Sequence, residues 1–156
     1  MPSILFLCLG NICRSPLAEG AARAAFAARD IAADLDSAGT GDWHVGRPPD
    51  TRAQAIARAN GVDISGLAAR QLALEDFERF DLILAADHEN LRDLKEMAPP
   101  GAKARLALML DMVPGRAGEA VTDPYYQDDA GFAQTWRDVT AVAEALASQA
   151  LASQAD

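Results

Sequence analysis

Residues 8–15, with the sequence CLGNICRS, combine a thiol with the features of an anion-binding loop. The apolar run before them, residues 3–8, predicts a strand that is buried on both faces. Ser15 and Pro16 are helix-start signals, since Ser is favoured at the N-cap and Pro at the first helical position. Backbone amides between a strand end and a helix N-terminus can converge on an anion, and the helix dipole adds partial positive charge. The loop is therefore predicted to hold a phosphate-like anion.

The side chains of this loop suit nucleophilic chemistry on such an anion. Gly10 permits tight curvature, and Asn11 tolerates a left-handed conformation better than other non-glycine residues. Arg14, six positions after Cys8, supplies a planar fork that matches two phosphate oxygens. Because a helix N-terminus and a nearby Arg both favour a thiolate, we expect Cys8 to be a nucleophile at neutral pH. We expect Ser15 to donate a hydroxyl hydrogen bond to the sulfur.

Other interpretations explain less of the loop. An inert buried Cys8, with Arg14 in a surface ion pair, leaves the Gly-Asn turn and the helix start unexplained. The loop also lacks the Lys and the spacing of a Walker A motif. Its two cysteines are not at zinc-ligand spacing, and His44 and His88 are isolated in sequence, so we expect both histidines on the surface or behind the site. We therefore expect no metal and no cofactor.

Asp123 is the clearest candidate for a general acid. Expelling an alkoxide or phenoxide from phosphorus needs a proton donor, and Asp123 lies in residues 121–126, with the sequence VTDPYY. Pro124 favours an extended conformation at Asp123, which suits a carboxylate held out from a loop. Tyr125 and Tyr126 would give the site aromatic walls. An ordinary Asp-Pro turn explains this local sequence equally well, so both interpretations stay open.

Length and composition predict a single domain over residues 1–156 and exclude several classes of protein. Half of the chain is hydrophobic, which suffices to bury a core without disulfides. A formal net charge of −9 and a pI near 4.6 argue against nucleic-acid binding. No run approaches the roughly 18 apolar residues of a membrane span, and the apolar start lacks the basic leader of a signal peptide. We therefore expect no membrane partner. Two cysteines do not suggest a disulfide scaffold, so we expect a cytoplasmic protein.

Apolar runs alternate with helical patterns along the chain. Strands are predicted over residues 3–8, 31–37, 81–86 and 105–110. Helices are predicted over residues 17–29, 51–60, 72–80 and 88–97, and from Gly131 onward. This order predicts a parallel sheet with helices on both faces and no domain boundary. The repeat LASQA at residues 146–150 and 151–155 is too short for a solenoid, and we expect about residues 148–156 to form a fraying tail.

With these motifs the sequence resembles the low-molecular-weight protein tyrosine phosphatases over nearly its whole length. The motifs follow one another in the family's order, at residues 6–19 (FLCLGNICRSPLAE), 37–43 (SAGTGDW), 45–47 (VGR), 69–71 (ARQ), 75–77 (EDF), 90–94 (NLRDL) and 123–126 (DPYY). The resemblance implies an α/β fold of three layers. Its four-stranded parallel sheet would have the order 2-1-3-4, with helices on both faces.

The resemblance also implies catalytic roles for three residues. Cys8 would be the nucleophile and Arg14 the ligand of the phosphate and of the transition state. Asp123 would be the general acid, and then the base for the water that hydrolyses phosphocysteine. The phosphate oxygens would be bound by the amides of Leu9, Gly10, Asn11, Ile12, Cys13 and Arg14.

Further roles implied by the resemblance concern support, substrate and redox state. Asn11 and Ser37 would share a hydrogen bond that braces the loop, and Ser15 would stabilise the Cys8 thiolate. Cys13 would be the partner of Cys8 in a reversible disulfide formed under peroxide. A small packed thiol is the alternative for Cys13. The walls of the substrate cleft would be Ile12, Trp43, Tyr125 and Tyr126.

Three alternatives to a tyrosine phosphatase share this fold. Arsenate reductases of similar fold need further downstream cysteines, and none follows Cys13. Protein arginine phosphatases carry a Thr at the position of Ile12, whereas an apolar Ile12 favours a flat aromatic ring. A module that only binds phosphate would not need Cys8, Arg14 and Asp123 together. We therefore expect a phosphotyrosine-bearing protein as substrate, inorganic phosphate as product, and a monomer or weak homodimer. Residues 113–121 match no motif, which leaves the path of the acid loop open.

Overall fold

The computed structural model describes residues 1–155, and strand β1 (Ser3–Cys8) lies at the centre of its sheet. This strand pairs in parallel with β2 (Asp34–Gly39) on one side and with β3 (Leu82–Ala85) on the other. Strand β4 (Arg105–Leu108) pairs in parallel with β3, so the order is β2-β1-β3-β4, as predicted. Because all strands run in the same direction, their carboxyl ends, including Cys8, lie along one edge of the sheet.

Helices cover both faces of this sheet and complete three layers. One face packs against the helices α1 (Arg14–Ala28), α2 (Thr51–Ala59) and α5 (Asp129–Ala155). The other packs against α3 (Asp76–Arg79) and α4 (His88–Met97). None of the helices in the described part of the chain has both the length and the apolar composition to cross a bilayer.

The alternation of side chains along β1 explains why the sheet is buried on both faces. Ile4, Phe6 and Cys8 belong to the apolar cluster formed with α1, α2 and α5. Leu5 and Leu7 belong to the cluster under α3 and α4. Successive residues of a strand point to opposite faces, so a continuous apolar run fills both layers at once.

Helix α1 begins earlier than predicted, at Arg14 instead of Leu17. Cys13 occupies the N-cap, so the prediction of Ser15 as N-cap is wrong. Pro16 is the third helical residue, which the first turn accommodates because the amides there have no intrahelical partner. The Ser15 hydroxyl contacts the Cys8 sulfur instead.

Other element boundaries also move for identifiable reasons. Strand β2 lies later than predicted, since its pairing starts with Asp34 opposite Ser3. The helix predicted over residues 72–80 is only α3, because the amide of Leu72 bonds to Gly39 and holds this segment against β2. A 3₁₀ turn (Met109–Met112) replaces the end of the predicted fourth strand. Helix α5 starts at Asp129 and extends to Ala155; Asp156 lies outside the described residues, and fraying of the tail stays a prediction.

Candidate active site

A cleft of about 190 Å³ opens at the carboxyl edge of the sheet, beside the loop after β1. It brings together three segments that are distant in sequence: residues 8–14, residues 43–44 and residues 123–126. Its lining residues are Cys8, Leu9, Gly10, Ile12, Cys13, Arg14, Trp43, His44, Asp123, Tyr125 and Tyr126.

The backbone of residues 9–13 is arranged for an anion. Asn11 has a φ of 56°, the left-handed conformation that the sequence predicts for it. Within residues 1–155, the amides of residues 9–13 donate to no protein acceptor. Helix α1 begins directly after them and adds the positive end of its dipole. Free amides at a helix N-terminus form a site that attracts phosphate-like groups.

A chain of buried hydrogen bonds supports this loop from behind. The Asn11 side-chain amide donates to Ser15 Oγ at 2.8 Å and to Ser37 Oγ at 3.0 Å. Ser37 in turn donates to Glu19 Oε1 at 2.7 Å. Ser15 Oγ lies 3.0 Å from Cys8 Sγ. Because the Ser15 oxygen accepts from Asn11, its own proton is available to the Cys8 sulfur.

The carboxylate of Glu19 ends this chain, and sequence reasoning missed it. Glu19 is only 2% exposed, and burial raises the pKa of its carboxyl although Ser37 and Arg23 donate to it. The signal that could have identified it is an acidic residue on a helix face that is otherwise apolar. Its position makes it a buried acceptor that orients the Ser37 hydroxyl and, through it, Asn11.

Arg14 is held by groups from the end of β3 and from the loop before α5. Its Nη1 donates to Asp87 Oδ2 at 2.7 Å and to the Val121 carbonyl at 2.9 Å. Burial alone would lower the pKa of the Arg14 guanidinium, but the negative charges of Cys8, Asp87 and Asp123 raise it above its ordinary value. Sequence reasoning missed Asp87, whose position directly after a buried strand at this edge of the sheet was the available signal.

The loop that carries Asp123 is anchored before it reaches the cleft. The amide of Val121 donates to the Ala86 carbonyl at 2.8 Å, which fixes the path that the sequence left open. Asp123 Oδ2 lies 3.8 Å from Arg14 Nη2, and its side chain is 45% exposed. Its Oδ1 accepts the amide of Tyr125 at 3.1 Å. The local turn and the position in the cleft, which the sequence presented as alternatives, therefore occur together.

Aromatic side chains flank the mouth of the cleft. Trp43 is 66% exposed and Tyr126 is 94% exposed. The rings of Tyr125 and Tyr126 are edge to face, with centroids 4.8 Å apart. His44 also lines the cleft, which its isolated position in the sequence did not indicate. The other histidine is exposed and contacts the Gly118 carbonyl outside the cleft.

Cys13 lines the same cleft and is as buried as Cys8, which is 3% exposed, but it lies beside the charge of Asp50. It is 4% exposed at the N-cap of α1. Burial, followed by the negative charges of Asp50, Cys8 and Asp123, raises the pKa of the Cys13 thiol far above its ordinary value. Cys13 is therefore a neutral thiol at neutral pH.

Fold and cleft together define a class: an α/β protein with a cysteine-containing anion-binding loop at the carboxyl edge of its parallel sheet. A family model described as low molecular weight phosphotyrosine protein phosphatase matches residues 3–156. The Schizosaccharomyces pombe low molecular weight phosphotyrosine protein phosphatase is 41% identical over 132 residues, covering 83% of this chain and 84% of that protein. The chain belongs to the low molecular weight phosphotyrosine protein phosphatase family.

Solved structures of similar fold include phosphatases that are named for two different substrates. A protein tyrosine phosphatase from Entamoeba histolytica, with Hepes in its active site, has a TM-score of 0.91 at 29% identity, over 99% of both chains. A Drosophila arginine phosphatase has a TM-score of 0.88 at 30% identity, over 94% of this chain and 96% of its own. The fold alone therefore does not choose between these substrates.

Proposed function

We propose that the protein hydrolyses phosphotyrosine in proteins, and small aryl phosphates, through a phosphocysteine intermediate. This proposal rests on one cleft lined by Cys8, Arg14 and Asp123, with loop amides at its base that donate to no acceptor within residues 1–155. A nucleophile, a cation matched to phosphate and a proton donor are the groups that this reaction requires.

In the first step the Cys8 thiolate attacks phosphorus, and the bond from phosphorus to the tyrosine oxygen breaks. Asp123 transfers its proton to that oxygen, so tyrosine leaves as a neutral phenol. The amides of residues 9–14 and the Arg14 guanidinium bind the phosphoryl oxygens as charge redistributes over them. Hydrogen bonds from Arg14 to Asp87 and to the Val121 carbonyl hold the guanidinium in place for this task.

In the second step the Asp123 carboxylate takes a proton from water. The water oxygen attacks phosphorus, the bond between phosphorus and sulfur breaks, and inorganic phosphate leaves. Cys8 returns to the thiolate, which the Ser15 hydroxyl stabilises at 3.0 Å. Asn11 and Ser37 keep that hydroxyl and the loop in position.

We infer an aromatic leaving group from the walls of the cleft. Ile12, Trp43, Tyr125 and Tyr126 line it, and they offer apolar and aromatic surface to a phenyl ring. A phosphoarginine guanidinium would bring several N–H donors against the Ile12 side chain, which accepts no hydrogen bond. Ile12 offers such a donor no partner, and a buried donor without a partner costs about 1–3 kcal/mol, so this contact favours phosphotyrosine.

Steady-state kinetics test the reaction and the substrate together. We expect Cys8→Ser to lower kcat for p-nitrophenyl phosphate by at least about 10³-fold, because the nucleophile is lost. Phosphate binding, measured by calorimetry, should be retained and so shows that the variant folds. Phosphotyrosine peptides should exceed matched phosphoarginine peptides in kcat/KM. Equal activity of Cys8→Ser and wild type would contradict the phosphatase proposal, and a preference for phosphoarginine would contradict only the substrate.

Cys13 is proposed as a redox partner of Cys8. Peroxide would oxidise the Cys8 thiolate to a sulfenic acid with release of water or hydroxide. The Cys13 thiol would then condense with it, forming the disulfide and releasing water. The proposal is supported by the position of both thiols in one cleft.

The proposed setting is the cytoplasm, where a reducing environment keeps Cys8 available as a nucleophile. The proposed partner is a phosphotyrosine-bearing protein, which the exposed aromatic side chains at the cleft mouth suit. We propose a monomer or a weak homodimer, since the exposed Trp43 and Tyr126 line the cleft, where a bound substrate would cover them.

A further inference from the structure

Arg52, the second residue of α2, contacts the loop that carries Asp123. Its Nη2 donates to the Tyr125 carbonyl at 3.0 Å, and its Nη1 donates to the Gln127 carbonyl at 3.4 Å. The guanidinium also lies over two rings, 4.6 Å from the centroid of Phe132 and 5.6 Å from that of Tyr125. One side chain thus binds the backbone on the far side of Asp123 and packs against the start of α5.

The other side of the guanidinium is fixed to the phosphate-binding loop. Arg52 Nε donates to Asp50 Oδ1 at 3.1 Å, and Nη2 donates to Asp50 Oδ2 at 3.0 Å. The backbone amide of Asp50 donates to the Ile12 carbonyl at 2.8 Å. Hydrogen bonds therefore run without a break from the backbone of the loop at Ile12, through Asp50 and Arg52, to the backbone after Asp123. We call this path the Arg52 bridge.

The acid loop has few other attachments. Residues 122–123 and 125–128 are exposed, whereas Val121 and Pro124 are buried. In the described part of the chain, two hydrogen bonds reach the backbone carbonyls of residues 123–127 from residues outside 121–132. Arg52 donates both of them. On the near side, Thr135 Oγ1 donates to the Thr122 carbonyl at 3.3 Å, and Arg14 Nη2 lies 3.8 Å from Asp123 Oδ2. The amide of Gln127 donates locally to the Pro124 carbonyl. The near side of Asp123 is therefore held through Val121 and Thr122, and its far side is held through Arg52.

We propose that Arg52 is a positioning residue that holds Asp123 where it can protonate the leaving group. The proposal rests on the proposed function, because it acts through the acid role of Asp123. A displaced acid slows departure of a poor leaving group, which needs the proton, far more than departure of an acidic phenol, which leaves without it. Loss of Arg52 should therefore have an effect that depends on the leaving group.

The test compares Arg52→Met, which keeps length and loses the donors, with Arg52→Lys, which keeps the charge and loses the fork. We measure kcat/KM, which reports phosphorylation of Cys8, for aryl phosphates whose phenols span a range of pKa values. For phosphotyrosine we expect Arg52→Met to lower kcat/KM by roughly 10- to 100-fold. For the most acidic phenols the loss should be less than about twofold, and the inhibition constant of inorganic phosphate should not change. Arg52→Lys should lie between wild type and Arg52→Met.

Arg58→Met is the matched control, since Arg58 is exposed on the same helix and its side chain contacts no part of the cleft. A second comparison sets the double variant, Arg52→Met with Asp123→Asn, against Asp123→Asn alone. Because Arg52 acts through Asp123, the double variant should depend on the leaving group about as much as Asp123→Asn does. An equal loss for all leaving groups, or weaker phosphate inhibition, would overturn the proposal and assign Arg52 to the stability of the phosphate site. If Cys8→Ser is as active as wild type, the proposed function fails. If Asp123→Asn shows the dependence and Arg52→Met does not, only the Arg52 proposal fails.

Discussion

The two cysteines lie in one cleft and are equally buried, but Cys13 lies beside the negative charge of Asp50, and the proposed redox chemistry gives them different roles. Cys13 is enclosed at the N-cap of α1 beside Asp50, and its thiol pKa is raised, so very little of it is thiolate at neutral pH. In the proposed disulfide, Cys8 is the group that peroxide oxidises first and Cys13 is the group that reacts second. The second reaction is then the step that responds to pH.

We predict that formation of the disulfide after peroxide treatment accelerates with pH from 6 to 8. Below its pKa, the thiolate fraction of a group rises about tenfold per pH unit, and the thiolate is the attacking form. Mass spectrometry of acid-quenched samples measures the disulfide, and activity after reduction measures recovery. Cys13→Ser should recover poorly, because the Cys8 sulfenic acid is oxidised further. The redox role is wrong if Cys13→Ser recovers as well as wild type.

Gly39 ends β2 and lies directly against the phosphate-binding loop. A Cβ at this position would lie 2.7 Å from the Leu9 carbonyl oxygen and 3.2 Å from the Asn11 amide nitrogen, which are both backbone atoms. The Gly39 amide and carbonyl are fixed as well, by bonds to Arg70 and Leu72. Neither the strand nor the loop can therefore move aside independently at this contact.

Gly39→Ala should displace the loop and lower both activity and stability. We expect kcat/KM for p-nitrophenyl phosphate to fall by roughly 10- to 100-fold, as displacements near 1 Å do in active sites. The free energy of unfolding in urea should fall by about 1–3 kcal/mol, which is typical of overpacking. Gly66→Ala is the control, since a Cβ there meets no atom of the described residues within 4 Å. Wild-type kinetics for Gly39→Ala would contradict the contact.

At the scale of the whole molecule, the sheet separates two apolar layers. Phe77 and Phe80 lie fully buried in the layer under α3 and α4. Trp136 packs on the opposite layer, with α1 and α5. Strand β1 contributes side chains to both layers, so we propose that they unfold together as the single domain that the sequence predicts.

Phe77→Ala tests this coupling from one layer to the other. We expect the free energy of unfolding to fall by about 3–5 kcal/mol, the usual cost of removing a buried Phe side chain. In a Trp43→Phe background, Trp136 is the only Trp and reports on the far layer. Its fluorescence transition in urea should shift together with the circular dichroism transition. Leu74→Ala, at a residue 63% exposed, should change stability by less than about 0.5 kcal/mol. An unshifted Trp136 transition would show two independent units.

The parts of the site that the sequence predicts correctly are those whose signals are neighbours along the chain. The strand, the Gly-Asn turn and the helix start around Cys8 are neighbours in sequence, so local propensities place the loop and the φ of Asn11. The order of the sheet came from the family resemblance, because alternating strands and helices allow several orders. The start of α1 was missed because Arg14 gains its position from Asp87 and Val121 and not from a local cap.

The sequence by itself determined the anion-binding loop, the candidate acid at Asp123 and the class of fold. Only the tertiary structure decided which distant groups complete the cleft. Asp87 reaches Arg14, and Arg52 reaches Tyr125, each across 73 residues. The position of Asp87 after a buried strand indicates the edge of the sheet, but neither Asp87 nor Arg52 has a local sequence that indicates its partner. Their contacts exist because the parallel sheet gathers its strand ends and the loops after them at one edge, which no local pattern encodes.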